Sequence, residues 1–311
     1  MSRIFDALQR SGTEESGVEY PDMMSVATAV FETQHEKANP DPLAVEETLP
    51  ETTLVPEQAE PVPPSQIATE EPANRYPAFP SLEVSVSPDS RLVCFTQPES
   101  LAAEKFRFLG VRLRQIRQAR SLKKVLVTSS IPEEGKSLIS ANLAGVLARR
   151  RERVLLIEGD MRRPTLASQL GLERLAGLAE WLQSGLDTAS NIYSLGGPGF
   201  WIMPAGDPPA NPIELMQSGR LSKLMSQLIT LFDWIIVDSP PLLPLADTTV
   251  WSRLTDGTLL IAREGKTEKK ALERGLETIK KSDLLGVVLN GCTNSDHDNY
   301  YYHRYSPPAA K

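Results

Sequence analysis

The sequence predicts an α/β fold, a mostly parallel sheet covered by helices on both faces, and three observations carry that prediction. Short β-rich runs alternate with helical stretches from residue 124 onward, the runs are apolar almost throughout, and the first leads straight into a Gly-Lys-Ser triplet that opens a helix. Strands buried on both faces lose the polar/apolar alternation, and parallel strands need crossover helices to join them, so these features belong together.

Taken in order, residues 2–10 place Ile4, Phe5 and Leu8 on one helical face, a segment too short to hold itself together without a partner. From about Pro21 to Pro88 the composition turns to Pro, Glu, Ala, Val and Thr with no sustained period, and 12 of the 25 prolines fall in the first 90 residues. Residues 1–90 therefore read as an extended, mostly disordered arm behind a short helix. The arm holds 17 Asp/Glu against 4 Lys/Arg, so in a chain of net charge -7 the rest is mildly basic. A helical pattern runs from Glu99 to Arg117. Strands are expected at 124–129, 153–158, 200–204, 233–238, 257–262 and 285–290, with helices at 136–150, 212–231, 245–255 and 267–281. The domain spans 91–295, and 296–311 forms a tail.

The longest apolar runs, such as Val154 to Ile157 and Trp234 to Val237, fall far short of the roughly 20 residues of a spanning helix. Met1 to Asp6 shows no long apolar core followed by a cleavage site. A cytoplasmic protein with no transmembrane segment is expected. Cys94 and Cys292 read there as two idle thiols, and three scattered histidines give no metal cluster.

Ligands of such sheets bind beyond the carboxyl ends of the strands. The first strand ends in Thr128-Ser129-Ser130-Ile131-Pro132-Glu133-Glu134-Gly135-Lys136-Ser137 and enters a helix, the context a phosphate-binding loop requires. Loop amides face the phosphates, Lys136 neutralises them, and the Ser137 hydroxyl reaches Mg²⁺, which makes the fold P-loop NTPase-type and ATP the expected ligand. Ser130 replaces the usual first glycine. The nucleotide-contacting set is Ser130, Pro132, Glu134, Gly135, Lys136, Ser137 and Leu138.

A second strand ends in Asp238-Ser239-Pro240-Pro241, placing Asp238 to hold Mg²⁺ directly or through water. A third reads Val154-Leu155-Leu156-Ile157-Glu158-Gly159-Asp160-Met161-Arg162-Arg163-Pro164. Alternate residues of an extended strand point one way, so Glu158 and Asp160 are expected to present two carboxylates to one catalytic edge. One can organise Mg²⁺ while the other takes a proton: a simple ATPase needs only to orient water, whereas a tyrosine kinase must deprotonate a hydroxyl whose free pKa is about 10. The competing assignment has both acids pairing with Arg162 and Arg163 in solvent.

With these motifs in hand, the chain from about Glu99 onward resembles the bacterial tyrosine kinases (BY-kinases) of capsule and exopolysaccharide synthesis. The resemblance rests on Ser129 to Ser137, Glu158 to Pro164 and Asp238 to Pro241, with further similarity at Pro204-Ala205-Gly206, Asn211-Pro212 and Gly286 to Asn290. It implies Lys136, Glu158, Asp160 and Asp238 as catalytic residues, Ser137, Asp160 and Asp238 as Mg²⁺ ligands, and Asn290 against the adenine. It also implies an autophosphorylated tail, here Tyr300, Tyr301, Tyr302 and Tyr305, four of the chain's seven tyrosines.

Two positions depart from the family. Glu158 stands where the family has the aspartate assigned as base, and a methylene more moves the carboxylate by up to about 1.5 Å. Glu104 and Arg107 are followed by Gly110 where the family has Glu-x-x-Arg-x-x-Arg at a subunit interface, with Arg112 and Arg114 nearby. The resemblance further implies a homo-oligomer and a membrane polysaccharide co-polymerase as activator, which would hold the protein peripheral to the inner membrane. Partitioning ATPases of similar fold carry a second lysine where this chain has Ile131. The alternative within the fold is an ATP-binding regulator that transfers little phosphate. Arg112, Arg114, Arg117, Arg120, Lys123, Lys124 and Arg149 to Arg151 form a basic cluster, which without interleaved aromatics reads as a solvated face or an acidic-protein contact, not a nucleic-acid surface.

Overall fold

The computed structural model describes residues 78–292 apart from 85, 186–187 and 244–245. The expected helix at 2–10, the arm up to residue 77 and the tail tyrosines lie outside the described residues. All described residues belong to one compact unit, Thr69–Lys311.

Eight strands form a single sheet: β1 (Ser81–Leu82), β2 (Lys124–Ser129), β3 (Val154–Glu158), β4 (Tyr193–Leu195), β5 (Phe200–Met203), β6 (Trp234–Asp238), β7 (Gly257–Arg263) and β8 (Leu284–Asn290). Their order is β1-β4-β5-β3-β6-β2-β7-β8, and every neighbouring pair is parallel except β4 with β5. The helices are α1 (Val93–Thr96), α2 (Leu101–Ala119), α3 (Lys136–Ala148), α4 (Leu166–Gln169), α5 (Leu178–Ser184), α6 (Pro212–Gln217), α7 (Arg220–Leu231), α8 (Asp247–Ser252) and α9 (Lys269–Glu277).

The continuous apolar runs have the expected cause. Val125, Val127, Val154, Leu156 and Ile236 face one core with Leu143 and Leu147 of α3, while Leu126, Leu155, Ile157, Ile235 and Val237 face a second with Trp181, Leu224 and Trp251. Successive residues feed opposite faces, so neither face leaves a polar position. Helix α3 is buried nearly all round, from Ser137 through Leu147 apart from Leu138, because α2 covers its outer side. Its N-terminus thus sits at the centre of the sheet, beside the ends of β2, β3 and β6.

The six expected strands are present with ends shifted by at most one residue. The expected helix over 212–231 is two helices, because Gly219 takes φ +76° and breaks the ladder after Ser218. The pieces β4, α4 and α5 span three to seven residues, too short to show a period. The sheet also takes in Ser81–Leu82, which the sequence places within the arm: Ser194 donates to the Pro80 carbonyl at 2.8 Å, and Phe79 packs against Trp201 and Phe232.

Much of the basic cluster serves the fold. Arg114 pairs with Glu152, Arg117 lies 4.8 Å over the Trp234 ring, Lys124 pairs with Asp256 at 3.1 Å, and Arg120 donates to the carbonyls of Asp256 and Ser282. Cys94 is buried, its thiol pushed up to about 12 chiefly by desolvation, and Cys292 is exposed; both are free. Among the described residues no helix is long and apolar enough to cross a membrane.

Candidate active site

β2 ends at Ser129, the chain turns through residues 130–135, and α3 starts at Lys136. Gly135 makes the turn possible. It takes φ +94°, and a Cβ there would lie 2.2 Å from Asn290 Nδ2. Glu133 also lies in the left-handed region, and its exposed carboxylate pairs with Lys266 at 2.6 Å.

The loop is braced from beneath by two residues that the sequence assigned to the nucleotide. The buried Glu134 carboxylate accepts from the Ile131 amide at 3.0 Å and from the Thr267 hydroxyl, and the Glu134 carbonyl accepts from Asn290 Nδ2 at 2.9 Å. Ser130 is buried, with its hydroxyl unpartnered and a Cβ on Gly275 of α9 only 2.6 Å from it. Pro132, Gly135, Lys136, Ser137 and Leu138 do line a common cavity of about 610 Å³, shared with Asp160 and Thr165.

Inside that cavity Lys136 Nζ lies 3.3 Å from Asp160 Oδ2, with both side chains largely shielded, and Asp160 Oδ1 accepts from the Arg163 amide at 3.1 Å. Asp238 is buried at the end of β6, in register with Glu158 on β3. Burial raises the Asp238 carboxyl to about 7; Lys136 and the Ser137 hydroxyl pull it down, and Glu158 and Asp160 push it up. Its Oδ1 has no hydrogen-bond partner. A buried, unpartnered carboxylate oxygen beside a serine hydroxyl and a lysine fits a hard divalent cation shared with phosphate oxygens and water. Among the described residues no three His, Cys, Asp or Glu cluster to hold a metal by themselves.

Glu158 and Asp160 do not share one edge. β3 ends at Glu158, so the strand alternation stops before Asp160. The buried Glu158 carboxylate accepts from the Leu166 amide at 2.5 Å, at the start of α4, and from the Ala205 amide at 3.1 Å. Burial raises its pKa, and these backbone bonds oppose the rise. Glu158 lines a different cavity, about 380 Å³, walled by Pro164, Ala167, Leu172, Leu175 and Pro204. The segment 164–169 divides the two spaces, with Thr165 and Gln169 on the Lys136 side and Pro164, Ala167 and Ser168 on the Glu158 side.

Arg162 pairs with neither acid. It forks onto buried Asp247 of α8 at 2.6 and 3.1 Å, a partner 85 residues away that no local pattern announces. Gly159 is held just as closely: its amide donates to the Asp238 carbonyl at 2.7 Å, its carbonyl accepts from Trp251 Nε1 at 3.3 Å, and a Cβ would lie 2.8 Å from that nitrogen. These contacts fix the chain between the two carboxylates. The arrangement can cradle a polyphosphate, neutralise it and supply two separately placed acids.

No family model matches the chain. Tyrosine-protein kinase YwqD of Bacillus subtilis is 33% identical over 214 residues, covering 68% of this chain and 90% of that protein. Putative tyrosine-protein kinase CapB of Staphylococcus aureus is 29% identical over 216 residues, covering 69% and 95%. Longer relatives match over a smaller share: of tyrosine-protein kinase ptk of Acinetobacter johnsonii, 37% identical over 172 residues, the chain covers 23%. Among solved structures, the chimerical protein CapA2B2 aligns with TM-score 0.63 at 28% identity over 70% of this chain and 96% of that one. The kinase domain of the Escherichia coli tyrosine kinase ETK aligns with TM-score 0.61 at 26% identity over 66% and 82%.

Proposed function

The chain belongs to the bacterial tyrosine-protein kinases, and from that premise we propose that it is an ATP-dependent autokinase that phosphorylates Tyr300, Tyr301, Tyr302 and Tyr305 and thereby regulates exopolysaccharide or capsule synthesis. The observation that carries the reading is the convergence of Lys136, Ser137 and Asp160 on one cavity at the carboxyl ends of the central strands, with Asp238 buried beside Lys136 and Ser137.

In this reading the loop amides, Lys136 and Ser137 hold the phosphates of ATP. Mg²⁺, held by Ser137 and Asp238 with Asp160 near it, would neutralise the charge that develops on the transferred group. Lys136 leaves Asp160 for the phosphates, which frees that carboxylate toward the metal. Asn290 and Glu134 keep the loop in shape. Glu158, in its own cavity behind α4, takes the proton of an acceptor tyrosine brought by a neighbouring subunit, and its raised pKa suits a base. Catalysis is positioning and charge stabilisation. A membrane polysaccharide co-polymerase is the proposed activator, contacting the acidic arm of residues 1–90 and holding the kinase at the membrane; CapA2B2, itself a chimera, aligns over nearly its whole length.

The deciding experiment is the intact mass and phosphotyrosine map after incubation with Mg-ATP, with Lys136→Met and a chain lacking 296–311 as controls. Phosphate confined to the parent and to Tyr300 to Tyr305 is expected. The engagement of Glu158 by two backbone amides favours a second reading, the nucleotide-binding regulator, and ATP binding without phosphate even beside a membrane activator fragment would select it. The Glu158 cavity has its own test. Ala167→Phe fills it and should cut tail phosphorylation about tenfold or more while Mg-ATP affinity stays within about threefold; equal losses in both would remove the acceptor role from that cavity.

A further inference from the structure

β8 closes one edge of the sheet, with β7 on one side only. Its residues, Leu284 to Asn290, include no charge and no proline. Edges are ordinarily blunted by charge, proline or a covering segment, since unpaired peptide groups recruit further strands. The Glu264 amide donates to the Asn290 carbonyl, which turns Asn290 and, by alternation, Val288 and Gly286 toward β7. The peptide groups of Val287 and Leu289 therefore face outward. Val287 is 42% exposed, and the Leu289 carbonyl takes only the Cys292 thiol at 3.4 Å among the described residues.

The chain beyond β8 points to the occupant. Gly291 takes φ +75°, a conformation suited to a reversing turn, and the described residues end at Cys292. Eight residues later comes Tyr300-Tyr301-Tyr302-His303-Arg304-Tyr305, aromatic and without proline until Pro307. Tyrosine favours strands, and six extended residues reach about 20 Å, close to the length of β8. Residues 291–299 suffice as the connecting loop at little entropic cost.

We infer that the unphosphorylated tail of the same chain docks antiparallel on the outer edge of β8 through Tyr300 to Tyr305, and that phosphorylation releases it. This rests on the autokinase reading for the release, though not for the docking. Main-chain bonds to Val287 and Leu289 hold the strand, and its tyrosines lie alternately over the two faces beside β8. Each phosphate adds a charge of about -1.5 to -2, and neighbouring phosphotyrosines on one strand repel one another beside an apolar edge. Docking withholds acceptor tyrosines from a neighbouring active site; transient opening exposes them, and the phosphate then added prevents the tail from docking again.

Amide hydrogen exchange of the Lys136→Met protein, which carries no phosphate of its own making, tests the docking. The Val287 and Leu289 amides should exchange about tenfold or more slower in the full chain than in one ending at Cys292, at every protein concentration. Equal exchange in the two overturns the inference, and so does protection that fades on dilution, which assigns the edge to a second copy. Val287→Pro removes an outward N–H without touching the β7 ladder and should abolish the protection in the full chain; retained protection there also overturns it. In the parent incubated with Mg-ATP, a phosphorylated tail should leave both amides fast. Protection kept on a phosphorylated tail overturns the release, whereas absence of phosphate counts against the autokinase reading and leaves the Lys136→Met comparison to decide the docking.

Discussion

Asp238→Asn is expected to reduce phosphoryl transfer by about a thousandfold or more, and at the same time to make the nucleotide-free protein more stable at neutral and higher pH. Both effects come from one fact. The carboxylate is buried at the end of β6 with an unpartnered Oδ1, and its pKa is raised from 3.8 to about 7, mainly by desolvation. A raised carboxyl pKa means that the folded state holds its proton more tightly than the unfolded state. This group therefore costs nothing below its unfolded value, costs progressively more as pH rises toward about 7, and its full cost persists above that. The cost is on the order of a few kcal/mol, because a tenfold change in proton affinity corresponds to about 1.4 kcal/mol. Asparagine keeps the shape and removes the charge. Melting without metal at pH 8 should rise by roughly 5 °C, the difference shrinking as pH falls toward 4, and added Mg²⁺ should stabilise the parent alone. A variant that melts below the parent at pH 8 without metal would remove the idea that Asp238 is stored under strain for a cation.

Glu158→Ala should act in the opposite direction on stability. Its carboxylate is the acceptor for the buried amides of Leu166 and Ala205, which join α4 to the segment after β5. Removing it orphans two donors and should cost about 2–4 kcal/mol in urea unfolding. The pH dependence separates this loss from a general defect. Burial raises the Glu158 pKa above its ordinary 4.5, so ionisation costs the parent stability as pH climbs past that value, and the deficit of the variant should be largest near pH 4.5 and smaller at pH 8. Transfer to the tail should fall about a hundredfold with Mg-ATP affinity nearly unchanged. Glu158→Asp distinguishes bracing from chemistry: it restores the family's residue but shortens the reach to the amides. A stability deficit with retained phosphorylation supports the base; loss of both leaves only the brace.

Most of the architecture was legible in the sequence because it rests on long-wavelength signals. Apolar runs bounded by turns located six strands to within a residue, and Gly-Lys-Ser at a strand-to-helix junction located the loop, since its chemistry depends on backbone geometry that few residues allow. Lys136, Ser137, Asp160 and Asp238, singled out by the same logic of strand ends, lie close to one another in the structure. Elements shorter than two turns or four strand residues carried no readable period, so β1, β4, α4 and α5 emerged only when tertiary pairing supplied their partners.

Local pattern thus accounts for the fold class, the loop between β2 and α3 and the identity of the residues around it. The direction in which those residues face is a property of the packed molecule. Strand alternation placed Glu158 beside Asp160, but β3 ends between them, and the start of α4 draws the Glu158 carboxylate into a second cavity. Arg162 finds Asp247 and Asn290 finds the Glu134 carbonyl across separations of 85 and 156 residues. Local patterns specify where a chain is extended or helical; the direction of a polar side chain is set by which buried donor or acceptor elsewhere in the fold would otherwise go unpaired.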